Sequence, residues 1–245
     1  LLVVAAGVGV LGIVLGAVRL NNGGNGAVTV TALTWVIGVF ALLLALRRTV
    51  REEAVHLTLY LQSLSLLLMT SLRGWYITGH DVQREFHVFQ LAEQAGRWDV
   101  TSFQDAYNAC LSITILPTVL HGLTGGPAEA VYKVWTQLAF ALVPVVVYLI
   151  ARRTSSVGTS LLGVVFFVAF PTFFTDMPFL NRQEIAFVFL SVAMLTTVLL
   201  PISVGRRRWL FGVFTVGIVF SHYSTTYVLI GVLVLSATLR RSSST

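Results

Sequence analysis

Asp81 and Glu85 stand four residues apart in GHDVQREFHVFQ, residues 79–90. On a helix that spacing puts both carboxylates on one face, with Arg84 beside them. The plainer alternative is a solvated helix with scattered acids. A second group, TDMPFLNRQE (175–184), holds Asp176, Arg182 and Glu184. The planar fork of Arg182 suits phosphate oxygens; otherwise an Arg182–Glu184 or Asp176–Arg182 pair simply closes the loop. A third group, SHYSTTY (221–227), surrounds His222 and Tyr223 with hydroxyls. Those donors could line a polar pocket or bind a diphosphate or a sugar, unless His222 is a satisfied structural histidine. Lys133, His87 and His121 are weaker candidates, better explained by snorkelling or local hydrogen bonds.

The chain that must position these groups is apolar. Its 245 residues are 56% hydrophobic and 11% charged, with a mean hydropathy of +0.84. Long apolar runs separated by short polar stretches read as transmembrane helices, at roughly 1–18, 28–46, 54–72, 129–151, 156–171, 184–202, 208–221 and 224–239. The strand-like alternation of a membrane β-barrel is absent. The single cysteine, Cys110, excludes an internal disulfide framework.

Every second connection is basic: Arg47, Arg48 and Arg51, then Arg152 and Arg153, then Arg206, Arg207 and Arg208, then Arg240 and Arg241. Only Glu52 and Glu53 stand against them, and the other connections take the remaining acids and most histidines. The net charge of +6 therefore marks cytoplasmic loops under the positive-inside rule, not a nucleic-acid partner. The expectation is an all-α polytopic transmembrane bundle of about eight spans in the plasma membrane, surrounded by membrane lipids. It forms one transmembrane domain over 1–245, part of a longer chain. All three polar clusters fall on its extracytoplasmic side.

The segment 73–128 is the large outer loop, with helices expected at about 80–95 and 108–122. Val82, Phe86 and Phe89 give the first helix an apolar face to lay on the membrane surface or on other spans. The last two spans are short, so SHYST is expected to turn in a recess below the outer surface. A single long tilted helix is the alternative.

An acidic motif in a large first outer loop, with interfacial helices and short later spans, resembles the GT-C superfamily of integral-membrane glycosyltransferases. GHDVQREF, FPTFFTDMPFLNRQE and SHYSTTY together are similar to its prokaryotic, mostly archaeal, members, over about 30–240. The resemblance implies a donor sugar on a polyprenyl phosphate or diphosphate, such as dolichyl phosphate, and a glycan, lipid or protein acceptor. It implies Asp81 as general base or metal ligand, with Glu85 or Asp176 as the assisting acid. A divalent cation, Mg or Mn, would sit on Asp81 and Asp176. Arg182 would neutralise the departing phosphate, His222 and Tyr223 would bind phosphate or sugar beside Glu184, and direct attack would invert the anomeric carbon. The chain lacks a second Asp-x-Asp motif and a C-terminal soluble acceptor domain, which separates it from oligosaccharyltransferases. The rival reading is a transporter or flippase, which would also put charges in membrane cavities but tends to show inverted repeats.

Overall fold

The computed structural model describes residues 1–242, with side chains through Leu239. Regular structure among them is helical throughout. The helices are α1 (Leu2–Asn21), α2 (Ala27–Ala45), α3 (Glu52–Ser71), α4 (Asp81–Ala95), α5 (Ile115–Thr124), α6 (Ala128–Ala151), α7 (Val157–Ala169), α8 (Pro171–Thr175), α9 (Asn181–Val198), α10 (Val204–Ser221) and α11 (Tyr223–Ser242). Each of the eight apolar runs is helical. Four of these helices, α1, α2, α3 and α6, are long and apolar enough to cross a membrane, and Val157–Phe179 adds a fifth when counted as one bent span. The remaining three fall short for local reasons. Asn181, Arg182, Gln183 and Glu184 fill the first turn of α9, Arg206, Arg207 and Arg208 open α10, and the apolar part of α11 ends at Leu239. The fold is that of a helical membrane protein.

The core gathers around α3, where Leu59 and Leu67 are fully enclosed by Val36, Leu43, Phe140, Tyr148 and Leu161. Within lipid such an interior is held by close packing and internal hydrogen bonds. Buried Gln62 donates to the Val36 carbonyl at 2.6 Å, and Ser63 to the Leu59 carbonyl at 2.8 Å. The 58° bend after α7 has a covalent cause. Pro171 has no N–H to continue the helix and forces Phe170 into an extended conformation (φ −65°, ψ 125°).

The bundle has two chemically distinct ends. At one, Arg47 lies on Gly158, Arg152 reaches Glu52 at 3.4 Å, and Arg153 donates to the Val198 carbonyl. Arg207, at the start of α10, donates to the Leu200 carbonyl. The expected arginine clusters thus share an end, apart from Arg240 and Arg241, whose side chains lie outside the described residues. At the other end Asn21 holds Leu72 and Gly74, and Ser71 donates to the Lys133 carbonyl. From here the chain leaves α3 for the 73–128 segment.

Three expectations need correction or refinement. The helix expected at 108–122 begins only at Ile115. Asn108 instead donates to the carbonyls of Asp99 and Phe103, closing a run of turns, and Pro117 is confined to the first helical turn. The apolar face of α4 does not lie on the membrane surface. Val82 and Phe89 are buried against Val131 and Tyr132 of α6, with Phe86 and Phe89 ring centroids 5.3 and 5.8 Å from that of Tyr132. The last helices are not one tilted rod. His222 is extended (φ −153°, ψ 116°) and breaks the helix, and Leu229 beyond it shares a buried cluster with Ile218 before it and with Ala186.

Candidate functional site

The N-termini of α4 and α9 meet end to end. Gly79 makes the approach possible: its φ is +132°, and a Cβ there would sit 3.0 Å from both the Phe179 ring and Val82. Only glycine lets the chain entering α4 pass that close to the 3-10 turn Met177–Phe179 that leads into α9.

Glu85 is fully buried across this junction. Its carboxylate accepts the Asn181 N–H at 3.0 Å and the Arg182 N–H at 3.4 Å, and the Arg182 Nε lies 3.4 Å away. Two first-turn N–H groups of α9, which no helical carbonyl can satisfy, are thereby capped by a side chain from another helix. Burial pushes the Glu85 carboxyl up to about 8, against the opposing pull of Arg182 and the two N–H donors. Arg182, 4% exposed, donates from Nη2 to Asp81 Oδ2 at 3.2 Å. Its guanidinium stacks 3.7 Å from the Tyr107 ring centroid and lies 5.2 Å from that of Tyr223. Burial, then the hydrogen bond to Asp81, pushes the Tyr107 phenol up to about 12. Buried Nη1 of Arg182 has no hydrogen-bond partner.

His222 is buried beside Tyr223, ring centroids 5.4 Å apart. The Thr225 N–H donates to His222 Nδ1 at 3.4 Å, and the Thr225 hydroxyl lies 2.8 Å from the same atom. Nδ1 is therefore an acceptor, and the ring proton belongs on Nε2. Ser112 donates to the Ser221 carbonyl at 3.5 Å and ties the 73–128 segment to this turn.

Asp81, Glu85, Arg182, His222 and Tyr223 thus converge. Asp176 does not join them, and Glu184, near enough to Glu85 for their charges to interact, makes its hydrogen bond elsewhere. Asp176 is exposed and bonded to the Thr175 hydroxyl, because the 3-10 turn after it carries the chain away. Glu184 faces the bundle interior, where Gln137 donates to it at 3.0 Å. Neither alternative loop-closing pair forms; Arg182 reaches α4 instead. The weaker candidates are locally occupied: Lys133 donates to the Arg73 and Gly74 carbonyls, His121 pairs with Glu93, and His87 packs edge-on against Phe103. Tyr107 and Asn181 are the residues that sequence reasoning missed. Asn181 carried a signal, as the neighbour of Arg182; Tyr107, in an irregular loop, carried none.

For a divalent cation, Asp81 Oδ2 is engaged by the Arg182 guanidinium, Asp176 accepts from the Thr175 hydroxyl, and no group of three His, Cys, Asp or Glu among the described residues is placed to hold a metal.

One space opens on the cluster through Asp81, and a second comes near it through Gln183. On the solvent side a polar cavity of about 500 Å³ is lined by His80, Asp81, Gln83, Arg84 and His87. Among the helices an apolar groove of about 470 Å³ is lined chiefly by Phe140, Val146, Phe167, Phe173, Phe187 and Met194. Gln183, next to Arg182, is among the few polar groups on its wall. Comparison with family models, curated proteins and solved structures finds no match.

Proposed function

We propose that the chain is a membrane glycosyltransferase of the GT-C kind. It transfers a sugar from a polyprenyl-phosphate donor to an acceptor hydroxyl or amide, with inversion. One observation carries this reading. Consecutive residues of α9 serve two chemistries: Arg182 sits in a carboxylate–aromatic cluster, and Gln183 lines an apolar groove of about 470 Å³. An amphiphile with an anionic head and a long hydrocarbon tail has the chemistry to bridge the two.

In this reading Asp81, which lines the polar cavity, is the general base. It takes the acceptor proton as the acceptor oxygen or nitrogen attacks the anomeric carbon, and the bond from that carbon to the phosphate oxygen breaks. The electron pair leaves on the phosphate, where the unpartnered Nη1 of Arg182 and the Nε2 proton of His222 are donors for the developing charge. Glu85 does not touch substrate; it positions Arg182 through the α9 amides. No step is routed through a metal. The topology we propose has eight crossings, with the arginine end cytoplasmic and the cluster on the extracytoplasmic face of the plasma membrane.

The test is turnover in lipid nanodiscs against a panel of radiolabelled polyprenyl-phosphate sugars. Label is expected to leave the lipid with wild type and about 100-fold more slowly with Asp81→Asn. Unchanged rates in that variant reject the assignment. The second reading is a carrier, favoured by the buried Glu184–Gln137 pair inside the bundle. Flux of a lipid-linked sugar across proteoliposomes without covalent transfer would support it instead.

A further inference from the structure

The arginine end holds a site that this function does not use. Arg47 and Arg48 line a cavity of about 610 Å³ with Leu44, Ser156, Gly158 and Leu162. Arg47 lies flat on the first turn of α7: a Cβ on Gly158 would stand 3.0 Å from its Nε and 3.3 Å from its Cδ. That turn is the positive pole of the helix, where a cation is unfavourable. The chain supplies no relief. No carboxylate pairs with Arg47 or Arg48 among the described residues, and the acids at this end are engaged elsewhere. Glu52 holds Arg152 at 3.4 Å and Tyr148 at 3.0 Å, and Glu53 holds Arg51 at 3.7 Å. The hydrogen bond recorded for Arg47 is to the Leu44 carbonyl at 2.7 Å, which neutralises nothing.

One guanidinium lies on a helix N-terminus and a second lines the same open cavity, with no carboxylate paired to either among the described residues; an anion suits this cavity. The cavity lies at the end of a membrane-crossing helix, and Leu162 on its wall is 58% exposed. We infer that it binds the phosphate of an anionic phospholipid, whose acyl chain runs along Leu44 and Leu162. Arg47 and Arg48 contact the phosphate.

The test uses the 245-residue chain in nanodiscs of phosphatidylcholine with a rising fraction of phosphatidylglycerol. Lipid retained after release into detergent is counted by native mass spectrometry, and circular dichroism verifies the helical fold of each variant. Wild type is expected to retain phosphatidylglycerol. Arg47→Gln with Arg48→Gln is expected to weaken retention at least about tenfold. Gly158→Ala, which displaces Arg47 without removing charge, is expected to weaken it too, whereas Arg206→Gln at the same end is not. Retention by the double variant equal to wild type overturns the site. So does an equal loss in Arg206→Gln, which would mean a diffuse basic face. Thermal stabilisation by inorganic phosphate as large as that by phosphatidylglycerol overturns the lipid assignment.

Discussion

Arg182, at one end of the bundle, is 4% exposed, with Asp81 and Glu85 against it and Tyr107 stacked on its face. Arg47 and Arg48, at the other end, line an open cavity with no carboxylate partner among the described residues. The same side chain is internally compensated where the fold buries it and left uncompensated where the membrane surface meets it. A buried cation without its acids would not survive, because desolvation costs several kcal/mol. An exposed one is tolerated, and its missing counter-charge points outward to a ligand. In the proposed reading the compensated end carries the chemistry and the uncompensated end the lipid contact.

That contrast can be broken most sharply at Arg182. At pH 9, where Glu85 is ionised, Arg182→Ala leaves a buried carboxylate without its cation and is expected to cost about 3–5 kcal/mol in thermal or denaturant unfolding. A loss below about 1 kcal/mol would mean that Glu85 needs no partner. Asp81→Asn comes next: its side chain is 34% exposed, and at the same pH ionised Glu85 still balances Arg182, so stability is expected to shift by less than about 1 kcal/mol while transfer falls about 100-fold. Equal losses in both readouts would make Asp81 structural.

Glu85 gives a pH signature. Its ordinary value is 4.5 and burial raises it to about 8, so between those values the folded chain holds a proton that the unfolded chain has released. Stability from this group therefore falls as pH rises through that window and levels off above it. Glu85→Gln is expected to flatten the melting temperature across the same range; an unchanged slope would assign the dependence to another group. The smallest effect belongs to the other end. Arg48→Gln in detergent is expected to stay within about 0.5 kcal/mol of wild type, since no internal contact of its charge is lost. A loss comparable to that of Arg182→Ala would erase the distinction between the ends.

Much of this was legible in the chain. Hydropathy located eight apolar runs, each of which is helical, and the alternation of Arg47, Arg152 and Arg207 with the polar clusters foretold that charges would segregate to two ends. Asp81 and Glu85 on one helical face, with Arg182, His222 and Tyr223 nearby, also followed from spacing and side. The sequence did not show that Asp176 stays exposed or that Glu184 bonds Gln137 instead of Arg182, because a 3-10 turn and two residues of helical rotation decide where they point. Nor did it reveal Tyr107 stacking on Arg182, since nothing local distinguishes a tyrosine in a run of turns.

Composition and periodicity by themselves determined an all-helical membrane chain with its polar groups sorted by loop, because the bilayer forces backbone satisfaction and charge placement at short range. Only the tertiary structure decided that Glu85 caps α9, that Arg182 is shared between two acids, and that Arg47 lies on the N-terminus of α7. Each of these joins residues far apart in sequence, and their meeting depends on how the helices pack, down to a Cβ that Gly79 must lack.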